Sequence, residues 1–303
     1  MRLLVVGANG QVGRELRRSL AELGQVLPAT RDGRLDDGTA CAVADLGDPD
    51  RLARLVRDTT PDAVVNAAAY TAVDKAEDEP DVAWRINAQA PGVLARACAG
   101  AGIPLVHYST DYVFDGRGTR PYREDDPTAP LGAYGASKRA GEEAVLAAGG
   151  RPLVFRTAWV YAAHGHNFLR TMLRLGAERE ELRVVADQVG TPTPAALIAD
   201  VTAVALRRAL AGPAVAGLWH LVAAGQTSWH GFAEAIFAEA VAAGLLPRAP
   251  RVLPITTAGY PTRARRPAYS CLDTTRLRRD FGVELPDWRE GLRGVVTELA
   301  RAG

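Results

Sequence analysis

A tyrosine and a lysine four residues apart, Tyr134 and Lys138, are the pair in this sequence best suited to moving a proton. At i and i+4 on a helix the two side chains project from one face. A free phenol titrates near ~10 and exchanges protons poorly at neutral pH, but an ammonium beside it stabilises the phenolate and brings that value toward the working range. The spacing alone is common and equally describes a solvated helix face. Here, however, Lys138 is one of only two lysines among 36 basic residues, the other being Lys75. In so arginine-rich a chain, a lysine that remains marks a place for a compact, titratable ammonium, which a guanidinium does not imitate.

A second candidate lies at the N-terminus. Gly7, Gly10 and Gly13 are spaced G-x-x-G-x-x-G between the apolar run Leu3–Val6 and a helical pattern over Gln11–Leu23. Glycines there permit a tight turn and a close approach of phosphate oxygens to the backbone, and the helix N-terminus adds N–H donors and partial positive charge. In a strand–turn–helix context this reads as dinucleotide binding rather than a plain turn. A third cluster, His107 to Phe114 (HYSTDYVF), closes a strand; a hydroxyl at such a carboxyl end can meet a substrate carbonyl as charge grows on its oxygen.

The elements that must position these groups alternate as in a parallel sheet with crossover helices. Strands are expected at Leu3–Val6, Gln25–Ala29, Cys41–Ala44, Ala63–Ala69, Pro104–Ser109 and Leu153–Val160, with helices at Asp50–Thr59, Val82–Ala101 and Tyr134–Ala148. Beyond about residue 165 the rhythm changes: helices at Asn167–Glu178, Pro194–Ala211, Ser228–Ala243 and Trp288–Arg301, with strands at Arg183–Ala186 and Gly217–Val222. The expected fold class is α/β, a Rossmann-like doubly wound parallel sheet with a smaller C-terminal substrate-binding region. Its parts are a dinucleotide-binding domain over 1–165 and a mainly substrate-binding region over 166–303, with some segments, about 183–222, returning to the first.

Composition narrows the function classes. The chain has 303 residues, 48% hydrophobic and 23% charged, with a net charge of +1, so no nucleic-acid partner is expected. No apolar run approaches the ~20 residues that span a bilayer, and Leu3–Val6 is too short for a signal-peptide core. Cys41, Cys98 and Cys271 suit neither a disulfide framework nor a metal site and read as small buried hydrophobes. His164 and His166 read as a polar loop rather than metal ligands. A cytoplasmic enzyme without a metal centre or membrane contact, monomeric or homodimeric, is the expectation.

Taken together, the glycine loop, the Tyr134–Lys138 pair and the 107–114 cluster resemble the extended short-chain dehydrogenase/reductase family. VNAAAYTAVDKAEDEP (65–80), HYSTDYVFDG (107–116), FRTAWVYA (155–162), DQVGTPT (187–193) and RPAYSCLD (266–273) resemble, within it, the dTDP-4-dehydrorhamnose reductases over essentially the whole chain. The resemblance implies reduction of the C4 carbonyl of a dTDP-linked 4-keto-6-deoxy sugar by NAD(P)H. It makes Tyr134 the proton donor, Lys138 its partner and a nicotinamide-ribose contact, and Thr110 the hydroxyl beside the substrate carbonyl, next to Asp111. It places the cofactor pyrophosphate at Gly10, Gln11 and Val12, the adenine at Asp45 and Leu46, and further cofactor contacts at Ala69, Tyr70, Thr71 and Tyr108. Trp159 would line the sugar-nucleotide site. Arg266, with Arg263 and Arg265, would face the diphosphate, against the plainer reading of a solvated basic loop. Asn87 would organise backbone.

One departure from the family's commoner pattern bears on the cofactor. An acidic residue after the second strand usually meets the adenosine ribose and favours NAD. This chain has Thr30 and Arg31, a hydroxyl and a cation, which removes a repulsion against a 2′-phosphate and offers it a partner. NADPH is therefore expected, with NADH as the second choice. The resemblance also admits Mg²⁺, with Glu15 and Glu298 as candidates against their reading as helix-surface carboxylates. Two alternatives remain open: an NADP-binding regulatory subunit like that of methionine adenosyltransferase, against which the retention of Tyr134, Lys138 and Thr110 argues, and a 4-ketoreductase for a related dTDP-deoxysugar.

Overall fold

The apolar run at the N-terminus is buried on both faces because helices cover both sides of the strand it forms. In the computed structural model, which describes residues 1–212 and 215–302, seven strands make one sheet: β1 (Arg2–Val6), β2 (Gln25–Thr30), β3 (Ala42–Val43), β4 (Ala63–Asn66), β5 (Pro104–Thr110), β6 (Arg151–Thr157) and β7 (Gly217–His220). Their order is β7-β6-β5-β4-β1-β2-β3, and every neighbouring pair is parallel. Leu3 and Val5 point into one core with Leu16 of helix α1 (Gln11–Ser19) and with Leu20 of the 3-10 turn that follows it. Leu4 and Val6 point into the other, with Leu52 of α2 (Pro49–Thr59), Leu94 of α3 (Ala90–Ala101) and Val145 of α4 (Ala133–Ala147). The chain reverses its direction across the sheet between β1 and β4, so the crevice beyond their carboxyl ends is where such a fold takes its ligand.

The second region has its own core around Tyr161, Phe232, Phe237 and Trp288. It contains α5 (Phe168–Glu178), then α6 (Ala195–Ala211), α7 (Trp229–Ala242) and α8 (Trp288–Ala302). Of the segment expected to return to the first domain, α6 packs beside α1, through Ile198 and Leu206, and β7 completes the sheet. The strand Glu181–Val185 does not return; it pairs in parallel with Arg251–Ile255, where Leu182 and Val184 reach the second core. Among the described residues no helix is long and apolar enough to cross a membrane.

Three elements depart from expectation, each at the ligand crevice. The fourth strand ends at Asn66 rather than Ala69, because the chain turns aside against Gly7, where an added Cβ would lie 2.7 Å from the Ala68 nitrogen. The helix expected over Val82–Ala101 is interrupted by a π turn at Arg85–Gln89. Pro91 has no N–H to give the Asn87 carbonyl, and Gly141 of α4 packs directly onto that carbonyl, which a Cβ would strike. The sixth strand stops at Thr157 because Trp159 takes a left-handed conformation, φ 48°, and Val160–Tyr161 pairs instead with Thr193–Pro194.

Candidate active site

The glycine loop forms a cradle with no room for side chains. Gly7 has φ 83°, its carbonyl accepts the Gly10 N–H at 2.9 Å, and a Cβ on Gly13 would run into that same carbonyl. The N-terminus of α1 is capped at Gly10 by no side chain, so its N–H groups face the crevice. Asn9 ties the loop to the turn after β2 by donating to the Arg34 carbonyl at 2.9 Å. Gln11 ties it to the second region by accepting from Asn167 Nδ2 at 2.8 Å. Val12 packs its side chain on the core under the loop. These residues fit a dinucleotide pyrophosphate.

At the adenosine end Thr30 is buried and its hydroxyl is already used: it donates to Asp32 at 2.9 Å and accepts from the Arg34 N–H at 3.0 Å. Thr30 therefore shapes the turn, and the exposed Arg31 is the cation that the turn presents. Asp45 accepts from the Gly47 N–H at 2.8 Å, which fixes the bend after β3, and Leu46 beside it is buried.

The groups for chemistry come from β5, α4 and the π turn. Asn87, fully buried, accepts from the Tyr70 N–H at 2.8 Å and donates to the Tyr70 carbonyl at 3.0 Å, so it holds the backbone of Ala69, Tyr70 and Thr71 in place. Its amide also reaches Ser137 at 3.1 Å, linking this loop to α4. Lys138 is 2% exposed and donates from Nζ to the Tyr108 carbonyl at 2.6 Å. Burial pushes its ammonium down to about 8, against an upward pull from Glu142. The Tyr108 ring faces away from the crevice and bonds Thr202 of α6 at 2.8 Å, so Tyr108 offers only backbone to a cofactor.

Tyr134 is half-buried at the start of α4, its ring edge-on to Tyr112 at 5.6 Å. Burial, aided by the charge of Asp111, holds its phenol above the ordinary value, against a downward pull from the Thr110 hydroxyl. The sequence alone suggests a phenol lowered by Lys138. In the structure Lys138 is turned to the Tyr108 carbonyl, and Tyr134 is a neutral, proton-bearing phenol at pH 7. Thr110 in turn donates to Asp111 Oδ1 at 2.9 Å and accepts from the Tyr112 N–H at 3.2 Å.

Beside Tyr112 opens a cleft of about 800 Å³, lined in part by Phe168, Arg183, Trp229, Tyr260 and Arg266. Arg266 bonds Asp74 at 2.6 Å and approaches the Tyr112 hydroxyl at 3.5 Å; Arg263 pairs with Asp78, while Arg265 is exposed. Trp159 does not itself line this cleft. Its indole stacks on Trp229, centroids 3.5 Å apart and planes within 5°, and Trp229 carries the wall. Trp229 was not legible in the sequence, lying 70 residues away with no motif around it; Tyr112, within the 107–114 cluster, was. Trp159→Ala removes the support behind Trp229. It is expected to weaken sugar-nucleotide binding about 10-fold, the worth of a stacked aromatic pair, with cofactor affinity changed less than about twofold. Separate titrations check this; equal losses for both ligands would instead indicate a folding defect.

A second cleft, about 890 Å³, brings Glu15 and Glu298 together with Arg14, Arg17, Arg18 and His164. Glu15 is paired with Arg18 at 3.3 Å, and His164 leans on the Gln11 carbonyl at 3.3 Å. Among the described residues no three His, Cys, Asp or Glu side chains gather to hold a metal.

Comparison with known proteins gives the family. The family model described as RmlD substrate binding domain matches residues 1–301. A dTDP-4-dehydrorhamnose reductase of Burkholderia thailandensis is 56% identical over 305 residues, covering 99% of both chains. That of Escherichia coli K12 is 47% identical over 299 residues, covering 99% of this chain and 98% of the relative. The crystal structure of dTDP-4-dehydrorhamnose reductase from Bacillus anthracis in complex with NADP superposes with a TM-score of 0.86 at 36% identity, covering 98% of this chain and 99% of that one.

Proposed function

The chain belongs to the dTDP-4-dehydrorhamnose reductase family, and on that premise we propose how its residues divide the reduction of dTDP-4-dehydro-6-deoxy-L-mannose to dTDP-L-rhamnose. The observation that supports the assignment is that Lys138 of α4 donates to the Tyr108 carbonyl of β5, which brings the helix face shared by Tyr134 and Lys138 to the end of the strand that carries Thr110. A bound nicotinamide supplies the hydride that the sugar C4 receives. Tyr134, neutral and proton-bearing, gives its proton to the carbonyl oxygen. Thr110 stabilises the negative charge that develops there. Lys138, anchored on the Tyr108 carbonyl, holds the ribose and supplies the positive field in which a phenolate can form.

Residues 1–165, with α6 and β7, form the dinucleotide-binding part, and the remainder of 166–303 forms the substrate part. The cleft beside Tyr112 takes the dTDP-sugar, with Trp229, backed by Trp159, as one wall and Arg266 facing its diphosphate. The test is consumption of NADPH in step with the 4-keto sugar nucleotide generated in situ. Cofactor binding without turnover of that sugar would favour a regulatory subunit instead.

Arg31 sets the cofactor preference. A guanidinium makes charge-assisted hydrogen bonds to a 2′-phosphate worth roughly 1.5–3 kcal/mol when well placed. Arg31 is exposed, so solvent screening reduces this to a preference for NADPH over NADH of about 10-fold, or ~1.4 kcal/mol. Arg31→Asp is expected to reverse the order. An unchanged ratio of kcat/KM for the two cofactors would show that Arg31 points into solvent.

A further inference from the structure

The helix that carries the proton donor has no side-chain cap of its own. The first N–H groups of a helix lack intrahelical partners, and a Ser, Thr, Asp or Asn just before the helix usually takes one of them. Before α4 that position is Gly132, which has no side chain to offer. The partner comes instead from 56 residues earlier: Glu77 Oε1 accepts the Ala133 N–H at 2.8 Å. A carboxylate there also meets the positive end of the helix dipole. Gly132 leaves the room for it, since a Cβ at that position would strike Glu77 Oε1. The Gly132 backbone is extended, a conformation open to any residue, so what this glycine avoids is the carboxylate.

Tyr134 is the second residue of α4, so the turn that Glu77 holds is the one from which the phenol projects. Lys138 lies one turn further on and is pinned to the Tyr108 carbonyl at 2.6 Å, and Ser137 is pinned by the Asn87 amide at 3.1 Å. Those residues keep their places without the cap. The Tyr134 carbonyl is held from within the helix, by the Ser137 hydroxyl at 2.8 Å. At the N–H end of the same turn the hold comes from outside, through Glu77.

Glu77 is itself well anchored. It closes the short helix Val73–Ala76, in which Ala76 is fully buried. Asp74 of that helix accepts from Arg266 at 2.6 Å and from the Ala264 N–H at 3.0 Å. Just beyond it, Glu79 accepts from the Tyr70 hydroxyl at 3.0 Å. The stretch 70–79 therefore touches three parts of the site: the Asn87 clamp through Tyr70, the sugar cleft through Arg266, and the proton-donor helix through Glu77.

We propose that Glu77 is the positioning residue of the proton donor: it caps α4 from outside and so holds the Tyr134 phenol in a fixed place relative to Arg266 and the diphosphate it faces. The inference rests on the reductase reading and adds to it how the acid is aimed. Glu77 touches no reacting atom and takes no part in the proton transfer; it acts through the Ala133 N–H. Loss of that hydrogen bond lets the first turn of α4 shift while the glycine cradle and Lys138, which lie on other holds, stay as they are. The cost then falls on the chemical step, where a displacement of about 1 Å in a reacting group is worth up to ~10²-fold in rate.

The test breaks this hydrogen bond from both sides. Glu77→Ala removes the acceptor; Gly132→Ala keeps it and pushes it off the helix end. Each is expected to lower kcat for the 4-keto sugar nucleotide by ~10–10²-fold, with KM for the sugar and Kd for NADPH within about threefold of wild type. The double variant should be no slower than Glu77→Ala, because the added methyl then has no carboxylate to displace. Glu77→Gln, whose amide oxygen still accepts, should keep kcat within about threefold of wild type. NADPH titration shows that each protein is folded; should Glu77→Ala fail it, Gly132→Ala decides alone, and an unchanged kcat there overturns the proposal. Losses that multiply in the double variant, a Glu77→Gln protein as slow as Glu77→Ala, or a raised KM with kcat unchanged would each overturn it as well. A wild type that binds NADPH and never reduces the 4-keto sugar would instead overturn the reductase reading, and the positioning role with it.

Discussion

Replacing Tyr134 with phenylalanine is expected to lower kcat for reduction by ~10²–10⁴, the usual contribution of a positioned acid, with NADPH affinity nearly unchanged. The substitution removes one oxygen and leaves the ring against Tyr112, 5.6 Å away, and the backbone carbonyl of Tyr134 as acceptor for Ser137 at 2.8 Å. The glycine cradle and the Asn87–Tyr70 clamp lie on other elements and do not depend on the phenol. The loss should therefore fall on kcat and kcat/KM together, as for an interaction made only in the transition state. A purified Tyr134→Phe protein that turned over at near the wild-type rate would show that another group delivers the proton.

The second large effect is on stability. Arg156 of β6 and Glu142 of α4 form a two-pronged ion pair, Nε and Nη2 each 2.8 Å from a carboxylate oxygen, with side chains 5% and 4% exposed. The guanidinium also lies over the Phe114 ring at 5.1 Å and 3.5 Å from His220, which burial and the neighbouring Arg156 hold neutral, down to about 3. Glu142→Ala leaves a buried guanidinium uncompensated and is expected to cost ~3–5 kcal/mol. Replacing Glu142 and Arg156 together with methionine should restore most of it, because no charge is then stranded. Urea unfolding midpoints of the three proteins decide the matter; a loss below ~1 kcal/mol for Glu142→Ala, the range of an exposed pair, would mean that water reaches the site. Glu142 also faces Lys138 one turn earlier on α4 and raises its ammonium, so the same pair couples the rigidity of the sheet to the catalytic face.

The features legible in the sequence were those whose meaning is local. A glycine run between an apolar strand and an amphipathic helix marks a tight turn with close backbone approach, and Tyr134 and Lys138 share a helix face through backbone geometry alone. The parallel sheet followed from β-branched runs spaced by helical patterns. What was not legible depends on contacts across the chain. Nothing near Trp159 announces that Trp229 will stack on it, and nothing near Tyr108 says that its ring will turn to Thr202 while its carbonyl takes Lys138. The π turn at Arg85–Gln89 needed both Pro91 and the close approach of Gly141 from another helix. The hydroxyl of Thr30, expected at the ribose, belongs to the turn that presents Arg31, which only the bond to Arg34 reveals. Short motifs thus located the candidate groups, and tertiary packing determined which atoms of each they leave free.

The central claim is that this site delivers hydride to the sugar C4 and that Tyr134 protonates the oxygen. The most direct measurement is the fate of label from NADPH carrying deuterium at both positions of its nicotinamide C4, with the 4-keto-6-deoxy sugar nucleotide generated in situ and the product read by mass spectrometry and proton NMR. The expected product is dTDP-L-rhamnose with one deuterium, at the sugar C4, formed by the wild type and, within the same time, barely formed by Tyr134→Phe. Deuterium at any other carbon, or a product without deuterium while NADPH is consumed, would contradict the account.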